Sequence, residues 1–163
     1  MRNAEYYIRE LNMESHVEGG YFKETYRSAM QIDAEGFGGV RSVCTAIYFL
    51  LESKDFSAFH KIKSDELWHF YDGDPLSIYV IHPSGELEIM LLGLDVGAGQ
   101  LPQLTVTAGC WFGSRVLSPG KYSLVGCTVS PGFDFEDFEL ASQGELTSTY
   151  PQHVQIINEM TRQ

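Results

Sequence analysis

Apolar and polar positions follow two different periods along this chain. Near the N-terminus Ala4, Tyr7, Ile8 and Leu11 recur at helical spacing, which predicts one short amphipathic helix within residues 3–13. From Gly19 onward the texture changes to short β-branched and aromatic runs separated by Gly, Pro, Asp and Ser clusters, the pattern of successive strands. The predicted strands cover residues 21–27, 43–51, 57–62, 66–72, 76–82, 86–93, 103–108, 111–117 and 122–130. Turn-forming residues at His82–Gly85 and Gly73–Pro75 suit hairpins, so successive antiparallel pairing is expected. The glycine-rich stretch 30–39 reads as a surface connection. After Pro151, which suits a first helical turn, Val154, Ile157 and Met160 return to helical spacing and predict a closing helix. Many short antiparallel strands must protect their edges, and closure into a barrel or a two-sheet jelly roll does this. The expectation is an all-β fold with a helix at each end. No repeat, linker or low-complexity tract divides the chain, so residues 1–163 are read as a single domain.

Composition narrows the partners. The 22 acidic side chains outnumber the 11 basic ones and give a net charge of -11, which repels both a phosphate backbone and an anionic bilayer. Nucleic acid and membrane are therefore not expected. The three cysteines, Cys44, Cys110 and Cys127, are odd in number and widely spaced, which fits free thiols in a reducing compartment. The polar N-terminus does not read as a signal peptide, and the expected location is cytoplasmic.

The candidate chemistry sits in SAFHKIKSDELWHFYDGD, residues 57–74, where polar groups interrupt a sheet interior. Side chains alternate across a strand, so Glu66 facing the interior brings Trp68 and Phe70 with it and sends His69 outward. A carboxyl buried beside aromatics has a raised pKa and can carry a proton near neutrality. With His60 on a neighbouring strand, Glu66 forms a candidate acid and base pair. The same two residues could instead hold two strands in register. Tyr48 and Gln103 are candidates to present a hydroxyl and an amide to a ligand, and Lys23 or Arg27 to attract an anionic group at the barrel mouth. The run SPGFDFEDFELA, residues 130–141, alternates phenylalanines with acids and is expected to cap the barrel or pack on a partner subunit as a half-buried edge segment with its acids in water.

The spacing of His60, Ile62, Glu66 and Gly73 resembles the first cupin signature, His-x-His, a short gap, Glu, six residues and Gly. Thr107, Gly109 and Phe112 stand where the second, Pro-x-Gly-x-x-His, is expected, and only Gly109 matches. The segments 18–28, 45–51, 56–76, 102–106, 108–112 and 124–141 together resemble the small cupin type five family, which is similar in architecture to sugar-nucleotide epimerase and germin-like cupins. The resemblance implies a cupin jelly-roll barrel, usually dimeric, with a small molecule bound inside. It implies a divalent metal only weakly: His60 and Glu66 are retained, but Ile62 and Phe112 replace two of the imidazoles that a germin-like site needs. Phe112 instead joins Trp68 and Phe70 as a candidate ligand wall. Three functions stay open: a metal-independent isomerase or epimerase acting through His60 and Glu66 on a carbohydrate-like or carbonyl-containing substrate, a non-catalytic ligand-binding or sensory protein, and a metal-dependent enzyme.

Overall fold

The computed structural model describes residues 2–162. Helix α1 spans Ala4–Glu10, and its strands are β1 (Glu14–Ser15), β2 (Tyr21–Arg27), β3 (Gln31–Ile32), β4 (Arg41–Ser42), β5 (Thr45–Glu52), β6 (Ser57–Lys61) and β7 (Asp65–Gly73). There follow β8 (Leu76–Ile81), β9 (Leu87–Leu92), β10 (Gln103–Val106), β11 (Trp111–Val116), β12 (Tyr122–Ser130) and β13 (Glu139–Leu140), then helices α2 (Gln143–Thr149) and α3 (Val154–Glu159). Two antiparallel sheets result, ordered β1-β2-β5-β12-β7-β10 and β13-β6-β11-β8-β9, with β3 and β4 as a separate ribbon. The architecture is a jelly-roll β-barrel with helices at both ends of the chain.

Strand alternation builds the core. Phe49, Leu51, Trp68, Leu104, Val125 and Cys127 from the first sheet meet Ile78, Val80, Leu92, Phe112 and Val116 from the second. Burying a large apolar side chain contributes about 1.5–3 kcal/mol, so this interface is the main source of stability. The helices cover the outer faces. Asn3 caps α1 by accepting the Tyr6 N–H at 2.9 Å, and Tyr7, Ile8 and Leu11 pack near Leu50 and Leu124 on the back of the first sheet. Leu146, Ile157 and Met160 pack with Phe59, Tyr79 and Ile81 behind the second.

Three expectations change. Residues 73–75 do not close a hairpin, because β7 lies in one sheet and β8 in the other; Gly73, at φ +92°, turns the chain across the barrel edge. The hairpin at His82–Gly85 does join β8 to β9. A second C-terminal helix, α2, precedes Pro151, and its weak apolar period explains why the sequence pattern concealed it, since Leu146 alone is buried. Finally, the acids of 130–141 are not all in water: Asp137 is buried and accepts two hydrogen bonds from the equally buried Arg41, at 2.7 and 2.9 Å. No helix among the described residues is long and apolar enough to cross a membrane.

Candidate functional site

A cavity of about 410 Å3 opens at one end of the barrel, on the concave side of the six-stranded sheet. Strand β2 contributes Phe22, Glu24 and Arg27, β5 contributes Thr45 and Ile47, β7 contributes Glu66, and β12 contributes Cys127 and Val129. A register shift between Glu24 and Tyr26 keeps both Glu24 and Arg27 on the cavity side despite their odd spacing. His16 and Glu18 enter from the turn before β2, and Phe133, Asp134 and Phe135 form a cap from the segment after β12.

Glu18 is the residue the sequence analysis missed. It is 7% exposed, and its neighbours Gly19 and Gly20 both have positive φ, +114° and +74°. Their backbone turns sharply enough to aim the carboxyl inward. Asp55 and Arg162 lock this turn: the Gly20 N–H donates to Asp55 Oδ2 at 3.0 Å, and Arg162 donates to Asp55, Phe56 O and Glu18 O at 2.8, 2.7 and 3.3 Å. The available signal was a lone Glu ahead of a glycine pair.

Glu18 links the histidines. His60 Nδ1 lies 2.7 Å from Ala58 O, which can only accept, so that nitrogen carries a proton. Its Nε2 faces Glu18 Oε2 at 3.0 Å. Burial pushes the His60 pKa down to about 4, partly opposed by the Ala58 hydrogen bond, and burial raises that of Glu18, opposed by His16 and the Ser57 hydroxyl. With its one proton on Nδ1, the neutral His60 ring offers Nε2 as an acceptor, so the proton between Nε2 and Oε2 belongs to the Glu18 carboxyl. Ser57 Oγ donates to Glu18 Oε1 at 3.0 Å and completes that carboxyl's partners. His16 Nδ1 accepts the Glu18 N–H at 3.2 Å, which leaves its own proton on Nε2.

Glu66 is different. Burial pushes its pKa up to about 8, with the Cys127 thiol beside it acting in the opposite direction. It is protonated at neutral pH. Burial raises the Cys127 thiol too, with Glu66 and Glu18 adding to the effect, so this cysteine is a weak nucleophile.

The other predicted residues divide by face. Trp68 and Phe112 are 1% exposed and fill the core, with Phe70 packed against it. The Phe112 ring also lies against His60, at 4.1 Å between centroids. Tyr48, Gln103 and Lys23 do not line the cavity: Phe49, Leu104 and Phe22, each one residue away, occupy the inner face, so alternation turns these three outward. Gln103 there hydrogen-bonds His69 Nδ1 at 3.2 Å, while His69 Nε2 meets Thr128 Oγ1 at 3.1 Å. The residues do not fit the metal quartet of a germin-like site. Ile62 and Phe112 are buried without donors, His60 Nε2 is engaged by Glu18, and among the described residues no group of three or more His, Cys, Asp and Glu is arranged to hold an ion.

These titrations act on stability in opposite directions. His60 ordinarily protonates near 6.5 but near 4 when folded, so the unfolded chain binds more protons between those values and stability falls as pH drops through them. The lowered pKa of His16 has the same sign. Glu66 ordinarily loses its proton near 4.5 but near 8 when folded, so stability falls as pH rises from 4.5 to 8. Above pH 6.5 the histidine contribution levels off and Glu66 sets the sign. Thermal melts are expected to show a loss of about 2 kcal/mol between pH 6.5 and 8, at 1.36 kcal/mol per pH unit for one group. Glu66→Gln, which mimics the protonated acid, should flatten most of that slope; an unchanged slope would show that Glu66 does not titrate there.

The chain's relatives share this architecture. Residues 5–141 match the family described as "Cupin superfamily (DUF985)". A protein of Saccharomyces cerevisiae, described as "Uncharacterized protein YML079W", is 31% identical over 143 residues, which is 80% of this chain and 71% of the yeast protein. Protein SO0799 of Shewanella oneidensis is 46% identical, covers 99% of both chains and superposes with a TM-score of 0.92. A hypothetical protein from Leishmania major is 40% identical over 99% of this chain and 100% of that one, with a TM-score of 0.94. An oxalate decarboxylase of Bacillus subtilis, only 10% identical over 94% of this chain and 38% of its own, shares the fold at a TM-score of 0.56. On the match across residues 5–141, the chain belongs to the DUF985 family of the cupin superfamily.

Proposed function

We propose that the barrel cavity binds a small carbonyl-bearing molecule and moves a proton on it. Glu66 is the acid and Glu18, backed by His60, is the base. In the forward step Glu18 takes a carbon-bound proton next to the carbonyl while its own proton passes to His60 Nε2, and Glu66 gives its proton to the carbonyl oxygen. The product is an enol, with the Glu66 carboxylate and the His60 imidazolium offsetting each other. Return of a proton to the neighbouring carbon, or to the other face of the same one, gives an isomer or an epimer.

The observation that carries this reading is two buried carboxyls facing one void, one of them held protonated by its burial. Positioned acids and bases with pKa values near working pH contribute about 10²–10⁴-fold each. A binding protein without chemistry is favoured by one feature: both ring nitrogens of His60 are already engaged. Proton NMR in D2O decides between the two. Incubated with a panel of unphosphorylated ketoses and simple hydroxyketones, the protein is expected to exchange the C–H next to the carbonyl, and Glu66→Gln and Glu18→Gln should each slow exchange by about 100-fold or more. Binding of panel members without exchange would support the non-catalytic reading and reject this one.

A further inference from the structure

The lining of the cavity has a charge arrangement that proton transfer alone leaves unused. Four carboxyl groups, Glu18, Glu24, Glu66 and Asp134, face it with one guanidinium, Arg27. Arg27 is already committed: Nε and Nη2 donate to Glu24 Oε1 at 3.0 and 2.6 Å, and Nη1 donates to Phe133 O at 3.2 Å. An anionic ligand would therefore find no uncommitted cation in the lining and would meet the Asp134 carboxylate instead, in a protein whose net charge is already -11.

The cap supplies the complementary observation. Asp134 Oδ1 accepts the Glu136 N–H at 2.9 Å, and among the described residues this carboxylate has no ion-pair partner within 4.0 Å. Its chain neighbours Phe133 and Phe135 line the same cavity and stand edge to face on each other, 5.0 Å between centroids, and Phe22 stands edge to face on His16 at 4.9 Å. Phe135 is 60% exposed, so its ring is open to a ligand entering the cavity. A carboxylate outside any close ion pair and aromatic rings lining the same cavity both favour an ammonium group, because the ring quadrupole and the carboxylate attract the same charge.

We propose that the ligand carries an ammonium group, held at the cavity mouth between Asp134 and the faces of Phe133 and Phe135, with its uncharged end directed toward Glu66. The inference rests on the reading of this cavity as a ligand site, and it narrows the substrate class to amino-bearing carbonyl compounds. Phosphorylated and carboxylated compounds are rejected.

Titration calorimetry at pH 7 with cyclohexylammonium, cyclohexanol and cyclohexanecarboxylate separates charge from shape. The ammonium is expected to bind at least about tenfold more tightly than the alcohol, with the carboxylate weakest. Asp134→Asn keeps an acceptor for the Glu136 N–H, so it should erase the preference for the ammonium while leaving the alcohol unchanged. Phe135→Ala should reduce that preference. Equal binding of alcohol and ammonium, tighter binding of the carboxylate, or an ammonium preference that survives in both variants would overturn the inference alone. Failure of all three probes to bind would overturn the ligand-site reading together with it.

Discussion

Trp68→Ala is expected to destabilise the fold by about 3–5 kcal/mol, the range for truncating a buried aromatic. For a chain of this length that corresponds to a fall in melting temperature on the order of 10 °C. The side chain is 1% exposed and stands edge to face on Phe49 and Phe112, at 6.0 and 6.3 Å, so it bridges the two sheets where no neighbour can collapse into the space. Its indole Nε1–H has no hydrogen-bond partner among the described residues. Leaving a buried donor unpaired costs about 1–3 kcal/mol. Trp68→Phe removes that donor while keeping an aromatic ring, so its loss should be far smaller than that of Trp68→Ala. Thermal and denaturant melts of both variants check this. Equal losses would mean that indole shape governs the site and the unpaired donor carries no penalty.

Gly19→Ala is the second large effect, at about 3 kcal/mol or more. Two costs combine. At φ +114° a Cβ is strained, a matter of about 1–3 kcal/mol. The new methyl would also overlap the Phe56 carbonyl oxygen and the Arg162 guanidinium, and overpacking typically adds about 1–3 kcal/mol. The consequence extends from stability to the site, because the same turn aims Glu18 at His60. Whatever protein still folds should show the His60 ring losing its carboxyl partner, readable as a changed Nε2 chemical shift by NMR. Gly36→Ala is the control, since a methyl there meets nothing within 4 Å; its backbone strain, at φ +86°, is then the sole cost. Comparable melts for the two variants would show that contact with Phe56 and Arg162 does not matter at Gly19.

The period-two pattern located nearly every strand of both sheets, because alternation is a local property that burial on one face imposes residue by residue. It also carried Glu66 correctly to the inner face with Trp68 and Phe70. The same rule, applied one strand at a time, could not assign Lys23, Tyr48 and Gln103. Which side of each strand is inner depends on Phe22, Phe49 and Leu104 finding the opposing sheet, and that is a pairing between distant segments.

The sequence by itself determined the fold class and the family signature, and strand alternation put Glu66 on one face with Trp68 and Phe70. Only the tertiary structure decided the composition of the site. Glu18 lies 42 positions before His60 in the chain, yet its carboxyl is 3.0 Å from the imidazole. Arg162, near the far end, holds the turn that puts it there. Local patterning reports which face of an element is buried, whereas a proton-transfer site depends on what the closure of the barrel brings across that buried space, and closure is set by all the strands together.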